Sequence, residues 1–190
     1  MRGGARVTRA EVFKRSLVGA AGVFAVAASL HVAPRVAGLA GVGLALIMLA
    51  VTIIDWRLLV IPDELSALAA VLGVGAVGFE RWGEMPVPVL HALTRGAVTA
   101  ALFFAFRFVY RRLRGREGIG LGDVKLAGVA GIWLDWTSLP VAVDIAALTA
   151  LGFVASRVVL SRRLPDPLAK LPFGTFFAPA IWLCWLLARW

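Results

Sequence analysis

The sequence has few charged residues. Asp, Glu, Lys and Arg make up 16% of its 190 residues and hydrophobic residues make up 61%, whereas soluble domains carry about 25% charged and about 45–50% apolar residues. The mean hydropathy is +0.88. This composition argues against a soluble domain and indicates a membrane protein, and the length indicates a single domain.

Residues that bind metals or carry redox chemistry are also scarce. Cys184 is the one cysteine, so no internal disulfide can form and no C-x-x-C zinc pair exists. The two histidines, His31 and His91, are isolated in the sequence. Neither a Gly-x-Ser-x-Gly elbow nor a His-Glu-x-x-His motif occurs. We therefore expect neither a metal nor another cofactor, and we disfavour the serine and zinc hydrolase mechanisms.

Apolar residues form seven long runs. A helix needs about 20 residues to cross a hydrocarbon core of about 30 Å, and the third and fifth runs are shorter than that. The pattern predicts an all-α fold, a polytopic transmembrane bundle of about seven helices. The predicted spans are 17–33, 36–54, 65–79, 87–106, 124–137, 138–160 and 171–188.

Basic residues are distributed unevenly between the two ends of these spans. The formal net charge is +9, but no basic stripe is interleaved with exposed aromatic residues, so we expect no nucleic-acid partner. Basic loops of membrane proteins face the cytoplasm, and the predicted topology collects 16 of the 20 basic residues there. That set is Arg2, Arg6, Arg9, Lys14, Arg15, Arg57, Arg107, Arg111, Arg112, Arg114, Arg116, Lys125, Arg157, Arg162, Arg163 and Lys170.

This topology divides the chain into two parts. Residues 1–15 are predicted to form a basic N-terminal segment in the cytoplasm, and residues 16–190 to form a single membrane domain in contact with the lipid bilayer. The stretch Leu30-His31-Val32-Ala33 also fits the end of a cleavable signal peptide. Its removal would leave the topology of the rest unchanged, and we favour a retained first helix.

Two acidic residues lie where predicted spans meet the cytoplasm. Asp55 ends the second span, and Asp123 begins the fifth within Gly120-Leu121-Gly122-Asp123. Two neighbouring carboxyl groups share one proton, so the ionised member can act as a base on water while the protonated member polarises a peptide carbonyl. Gly120 and Gly122 carry no Cβ and let an extended backbone approach. An alternative is that the glycines only break the chain and Asp123 caps the helix.

These motifs resemble those of the type IV prepilin peptidase family. The resemblance rests on Asp55 with Ile61-Pro62-Asp63, on Gly120-Leu121-Gly122-Asp123-Val124-Lys125-Leu126 and on Pro172-Phe173-Gly174, in the family's order over about residues 36–188. It implies that Asp55 and Asp123 are the catalytic residues of an aspartic endopeptidase. The residues that it implies beside the site are Gly120, Gly122, Lys125, Pro172, Phe173 and Gly174.

The resemblance also implies a cellular role. The substrates would be prepilin or pseudopilin precursors, whose leaders are cut at the cytoplasmic face of the bacterial inner membrane by a six-helix core preceded by one additional helix. Many members carry an N-terminal methyltransferase region with paired cysteines, which this sequence lacks. It is therefore similar to the short, peptidase-only members that accompany tight-adherence (Flp-type) pili, and we expect no N-methyltransferase activity. Thr175 stands where many members have a proline.

Several assignments near the site have alternatives. Asp63 is predicted to cap the third helix, with catalysis in place of Asp55 as the alternative. Lys125 lies near a helix N-terminus, where a cation is unfavourable, so a lipid phosphate, a carboxylate or the substrate must offset it. Pro172 also fits the first position of a helix. Because Asp123 lies at the positive end of its helix and Asp55 at the negative end of its own, we expect Asp123 to ionise and Asp55 to hold the proton.

One further polar pair is predicted inside the membrane. Arg95 and Asp144 both lie within apolar spans, and either residue alone would be costly in hydrocarbon. We therefore expect them to pair with each other in a structural role.

Two other functions are compatible with parts of the sequence. Intramembrane proteases of the presenilin or signal-peptide-peptidase type also use Gly-x-Gly-Asp, but they differ around the first aspartate and the last motif. A small transporter or channel would line a path through the bilayer midplane with polar residues, whereas the carboxylates here cluster on one side. The sequence leaves the particular precursor and the oligomeric state open.

Overall fold

The described part of the chain is an all-α bundle of seven helices, as the sequence predicted. The computed structural model describes residues 9–33, 36–116, 118–162 and 171–190, with side chains described from residue 16 onward. A short 3₁₀ turn, Trp82–Glu84, joins the third and fourth helices. The helices are α1 Arg9–Val32, α2 Val36–Leu58, α3 Asp63–Glu80, α4 Val87–Arg114, α5 Leu121–Trp133, α6 Ser138–Ser161 and α7 Phe173–Leu187.

Some of the predicted features lie outside the described residues. They include most of the basic N-terminal segment, residues 1–8, whereas residues 9–15 belong to α1 and their side chains are not described. The basic residues Arg2, Arg6, Arg35, Arg163 and Lys170 also lie outside.

Length and composition identify the membrane-crossing helices. Among the described residues, α2, α4 and α6 are long and apolar enough to cross a membrane, while Ser16–Val32 and α7 are shorter apolar helices. α5 has 13 residues and is about 20 Å long at 1.5 Å per residue, which confirms that the fifth span is short. The chain is thus a membrane protein with α5 as a short helix beside the spanning ones.

Left-handed residues follow three helices on the side where Asp55 and Asp123 lie, namely Leu59 after α2, Gly115 after α4 and Arg162 after α6. After α2, Leu59 has a φ of 55°, and its N–H donates to the carbonyl oxygen of Asp55 at 2.9 Å. After α4, Gly115 has a φ of 67°, a conformation that glycine adopts without a Cβ penalty. The turns after α2 and α4 lie at the end of the bundle where α3 and α5 begin.

α7 is the central helix of the core, because it packs against α2, α5 and α6. Its side chains Phe177, Ile181 and Trp185 are buried. The Trp185 indole lies directly against α2 at Gly41, where a Cβ would come within 1.9 Å of the ring carbon Cη2. Gly41 is therefore what allows α2 and α7 to approach closely.

The predicted pairing of Arg95 with Asp144 is wrong. The Arg95 guanidinium Nε donates to the carbonyl oxygens of Gly131 at 3.2 Å and Leu134 at 2.9 Å. These carbonyls lie at the C-terminal end of α5, where backbone oxygens have no partner within the helix. Asp144 is exposed on α6, a helix that packs mainly on α7. Arg95 therefore caps the C-terminal end of α5 and does not pair with Asp144.

Candidate active site

Asp55 lies near the end of α2 and faces the beginning of α7. Only 5% of its surface is exposed. Its Oδ2 atom accepts a hydrogen bond from the Thr175 backbone N–H at 2.7 Å and another from the Thr175 hydroxyl at 3.1 Å. Thr175 is the third residue of α7, so its N–H is one of those that a helix leaves free at its start. The Asp55 carboxylate thereby occupies the N-terminus of α7.

Asp123 lies in the first turn of α5, at the same end of the bundle. Its Oδ2 accepts a hydrogen bond from the Gly120 N–H at 3.1 Å, and Gly120 is the N-cap of the helix. Asp123 is therefore the third helical residue, and its side chain accepts a hydrogen bond from the N-cap residue. The alternative that Asp123 is itself the N-cap is wrong, because Gly120 occupies that position. This hydrogen bond closes the first turn of α5.

The charge state of Asp123 is perturbed by its surroundings. Asp123 lies outside the three helices that are long enough to cross a membrane. Burial raises its pKa from 3.8 to about 6; the Gly120 N–H opposes this shift and the negative charge of Asp55 adds to it. The two carboxyl groups are thus close enough to repel each other.

This geometry argues against the expected division of roles within the pair. We had expected Asp123 to ionise and Asp55 to hold the proton, from the direction of each residue's own helix. Asp55 instead receives two hydrogen bonds from the start of α7, and these favour its ionised form. Burial and the Asp55 charge favour the protonated form of Asp123. The expectation considered only the helix that carries each aspartate and left the neighbouring helix out.

Ile61 belongs to the Ile61-Pro62-Asp63 motif, but no role at the site was predicted for it from the sequence. It follows the left-handed turn after α2, and 6% of it is exposed. A Cβ on Gly122 would lie 2.9 Å from the Cβ of Ile61, and a Cβ on Gly174 would lie 2.6 Å from its Cδ1. Gly122 and Gly174 therefore give room to Ile61, which joins the loop after α2 to the starts of α5 and α7. Gly122 was predicted to admit a substrate backbone, and the structure gives it this packing role.

The remaining residues of the last motif form the entry to α7. Pro172 is the N-cap and Phe173 the first helical residue, so Pro172 precedes the first helical position instead of occupying it. The Phe173 ring packs on Phe177 with centroids 5.4 Å apart. A Cβ on Gly174 would come within 3.0 Å of Asp55 Oδ2. The absence of that atom lets the Asp55 carboxylate reach the helix start.

Lys125 and Asp63 form an ion pair at the edge of the site. Lys125 Nζ donates to Asp63 Oδ1, and both side chains are largely exposed, at 45% and 71%. A carboxylate is therefore the group that offsets the cation near the start of α5. Asp63 is the first residue of α3 and makes no capping bond, since Pro62 is the N-cap. The prediction that Asp63 caps α3 is wrong.

Arg107 is another residue that the sequence misplaced. It was counted among the basic residues of the cytoplasmic loop after the fourth span, but α4 continues to Arg114 and Arg107 is buried. Its guanidinium donates to the carbonyl oxygen of Ile119, immediately before Gly120. Arg107 thus holds the segment that leads into α5 and Asp123.

An apolar groove of about 460 Å³ begins beside the ion pair and runs between α3, α4 and α5. Small residues form much of its wall, among them Ala67, Ala70, Gly96 and Gly128. Asp63 and Lys125 lie at one end, and Leu93 and Ile132 also line it. In the described part of the chain, no three His, Cys, Asp or Glu side chains group closely enough to hold a metal ion. The chemistry that the described site offers is that of two carboxyl groups at the edge of the bundle.

Comparison of the sequence with known proteins identifies relatives among the leader peptidases. A sequence profile of the type IV leader peptidase family matches residues 42–155. The chain is 36% identical over 165 residues to a prepilin leader peptidase/N-methyltransferase of Burkholderia pseudomallei, covering 84% of this chain and 50% of the relative. It is 30% identical over 179 residues to a protein of that name from Aeromonas hydrophila, covering 88% and 57%. The chain thus spans about half the length of the curated relatives it matches. No solved structure matches it.

Proposed function

Because this chain belongs to the type IV leader peptidase family, we propose that it is an aspartic endopeptidase that removes the leader peptide from prepilin-like precursors. Asp55 and Asp123 are its proposed catalytic residues. The relatives are named for both a peptidase and an N-methyltransferase activity, and we propose the peptidase activity alone. The family match also favours this function over a presenilin-type protease or a transporter.

The observation that carries the proposal is the meeting of two carboxyl groups at one end of the bundle. Asp55 is buried at the end of α2, and its charge acts on Asp123 at the start of α5. Two such groups share a proton below the pKa of the weaker acid. The ionised carboxylate can then take a proton from water while the other protonates the carbonyl oxygen of the scissile peptide bond. This hydrolysis needs neither a covalent intermediate nor a metal.

The neighbouring residues support this chemistry by holding the two helix ends in place. Ile61 fills the space left by Gly122 and Gly174, and Arg107 holds the segment before Gly120. Gly120 itself is exposed, which leaves its backbone open to an extended peptide. Lys125, two residues after Asp123, lies at the exposed edge, where a substrate chain can reach it.

We further propose that the site faces the cytoplasm across the bacterial inner membrane and that residues 16–190 act as one membrane domain. Consecutive helices run in opposite directions, so one side of the bundle holds the ends of α2, α4 and α6 and the starts of α3, α5 and α7. The two aspartates share this side with Arg57, Arg111 and Arg112. Basic residues concentrate on the cytoplasmic side of membrane proteins. Reporter fusions after Arg114 and after Glu84 test this: cytoplasmic activity is expected at the first position and periplasmic activity at the second.

Cleavage of precursors tests the proposed activity directly. The chain is co-expressed with epitope-tagged prepilin precursors, and the shortened product is followed by gel mobility and mass spectrometry. Asp55→Asn and Asp123→Asn should each abolish cleavage, because an amide can neither accept the proton from water nor donate one as an acid. We expect a loss of at least about 10²-fold from removing a general acid or base.

A matched control separates charge loss from loss of the active pair. Glu84→Gln makes the same carboxyl-to-amide change in the 3₁₀ turn, where Glu84 pairs with Arg81 on the surface, and should leave cleavage unchanged. Membrane levels of all variants are measured by immunoblot. Cleavage that persists in both aspartate variants at normal protein levels would show that the chain is not an aspartic peptidase of this kind.

A further inference from the structure

The first turn of α7 makes an unusual contact with the buried carboxylate. Two donors from a single residue, the backbone N–H and the hydroxyl of Thr175, both reach Oδ2 of Asp55, at 2.7 and 3.1 Å. Resting on the proposed peptidase function, we propose that Thr175 is a positioning residue that holds Asp55 as the ionised, general-base member of the pair and thereby leaves Asp123 as the acid.

Hydrogen-bond counting gives the direction of this effect. Each donor aimed at a carboxylate stabilises its charged form, and the N-terminus of α7 adds a favourable dipole for a negative charge. Asp55 receives two donors from Thr175, whereas Asp123 receives one, from the Gly120 N–H. Because the pair holds one proton in its active form, stabilising the charge on Asp55 leaves the proton on Asp123.

The hydroxyl of Thr175 has one other acceptor within reach. It lies 3.4 Å from the carbonyl oxygen of Thr52, one turn earlier in α2, and 3.1 Å from Asp55 Oδ2. The shorter contact is also the one to a charged acceptor, and hydrogen bonds to charged groups are the stronger ones. The hydroxyl proton is therefore directed at Asp55. Gly174 makes this possible, since a Cβ there would come within 3.0 Å of the same Oδ2.

The assignment gives each proton a defined path. Asp55 takes a proton from water as the water oxygen bonds to the peptide carbonyl carbon, and Asp123 gives its proton to the carbonyl oxygen. The product is a neutral tetrahedral diol. As the C–N bond breaks, Asp55 passes its proton to the leaving nitrogen and Asp123 recovers one from a diol hydroxyl. The pair returns to its starting state with Asp55 ionised.

Among the described side chains, the helices packed against α2 carry few charged groups at this end of the bundle. α7 carries none, and on α1 the described side chains include only His31, at the opposite end. Asp63 and Lys125 pair with each other, and the Arg157 guanidinium lies over the Phe153 ring. The charged side chains at this end are Arg57 on α2, Asp63 and Glu64 on α3, Arg107, Arg111, Arg112 and Arg114 on α4, Arg116 after α4, Asp123 and Lys125 on α5, and Arg157 and Arg162 at the end of α6.

The test is the pH dependence of cleavage in two Thr175 variants. Thr175→Val removes the hydroxyl and keeps the shape and the N–H, whereas Thr175→Ser keeps both donors. A synthetic precursor peptide is cleaved by purified protein in detergent between pH 4 and 9. For Thr175→Val we expect the acidic limb of the kcat profile to move up by about one pH unit, a rate loss of about tenfold on that limb, with a smaller loss at the plateau. Thr175→Ser should follow the wild type.

A second hydroxyl and a second measurement exclude a merely structural role. Thr149→Val removes an exposed hydroxyl that bonds back to the Ile145 carbonyl on α6, and its profile should match the wild type. Carboxyl-resolved infrared titration should show Asp55, identified by its loss in Asp55→Asn, ionising at higher pH in Thr175→Val than in the wild type.

The outcomes separate the two proposals. An unmoved acidic limb together with an unmoved Asp55 titration in Thr175→Val would overturn the role of Thr175. A loss of rate that is equal at every pH and is accompanied by a lower melting temperature would overturn it too, because that pattern indicates packing alone. A wild-type protein that cleaves no precursor but shows the Asp55 shift would refute the peptidase function and support the role of Thr175.

Discussion

Replacing Asp123 by asparagine should make the protein more stable at neutral pH, although it destroys the proposed activity. The pKa of Asp123 is raised from 3.8 to about 6, chiefly by burial. The folded state therefore binds a proton that the unfolded state has released between these two values. A group with a raised pKa contributes its full stability below the unfolded value and loses it as the pH rises through the folded value. The free energy of unfolding should thus fall between about pH 4 and pH 6.

The size of the effect follows from the shift. A change of about two pKa units at about 1.4 kcal/mol per unit gives about 3 kcal/mol, which partial exposure to water reduces to about 2 kcal/mol. For a chain of this length, that corresponds to about 4–8 °C in melting temperature. Asparagine carries no charge to bury, and its side-chain carbonyl can still accept the Gly120 N–H.

Thermal unfolding in detergent between pH 3.5 and 8 measures this effect. The apparent melting temperature of the wild type should fall across pH 4–6 and then level off, whereas that of Asp123→Asn should stay flat and lie above the wild type at pH 8. Glu64→Gln, an exposed carboxyl-to-amide change at the same end of the bundle, should keep the wild-type slope. A wild-type melting temperature that rises through pH 4–6, or a slope that survives in Asp123→Asn, would refute the reasoning.

Two glycine substitutions test the packing around the site. Gly174→Ala places a Cβ 2.6 Å from Ile61 Cδ1, so we expect the free energy of unfolding to fall by about 1–3 kcal/mol and cleavage to be lost. Valine has no Cδ1, so the double variant with Ile61→Val should regain part of the stability and part of the cleavage. A double variant that regains neither would argue against this contact. Gly41→Ala places a Cβ 1.9 Å from the rigid Trp185 ring and should cost about 3 kcal/mol, measured as apparent melting temperature. Gly75→Ala meets nothing within 4 Å and should be neutral or slightly stabilising; equal effects at both positions would contradict the close approach of α2 and α7.

The helices could be predicted from the sequence because each depends on a local property. An apolar run long enough to cross a bilayer is visible residue by residue, and the predicted limits lie within a few residues of the observed ones for most helices. α1 and α4 are the exceptions. α1 begins at Arg9, eight residues before the predicted span, and α4 was predicted to end at residue 106 and continues to Arg114. Both extensions are rich in polar or basic residues. The last turns of α4 carry arginines that lower the hydropathy without breaking the helix, which ends only at the left-handed Gly115. Hydropathy locates the membrane boundary, and a glycine locates the helix end.

The contacts between helices could not be predicted in the same way. Thr175 and Asp55 are 120 residues apart, and Lys125 and Asp63 are 62 apart, so neither pair leaves a local pattern. Arg95 shows the consequence most clearly. The sequence suggested Asp144 as an acidic partner for Arg95. The carbonyl oxygens at the end of a neighbouring helix are also acceptors, and they hold the guanidinium. A search for charged partners overlooks acceptors that every helix carries.

The expected position of the proton within the pair also overlooked a neighbouring helix, and this leads to a more general conclusion. The dipole of a residue's own helix would make Asp55 the acid, because Asp55 lies at the negative end of α2. Yet the start of α7 meets Asp55, so both carboxyl groups lie at the positive end of some helix, Asp55 at α7 and Asp123 at α5. The dipoles therefore do not distinguish the two residues. Among the described residues, what distinguishes them is the number of hydrogen-bond donors, two on Asp55 and one on Asp123. In a site built where several helix ends meet, the role of each carboxylate is decided by the donors it faces and not by the helix that carries it.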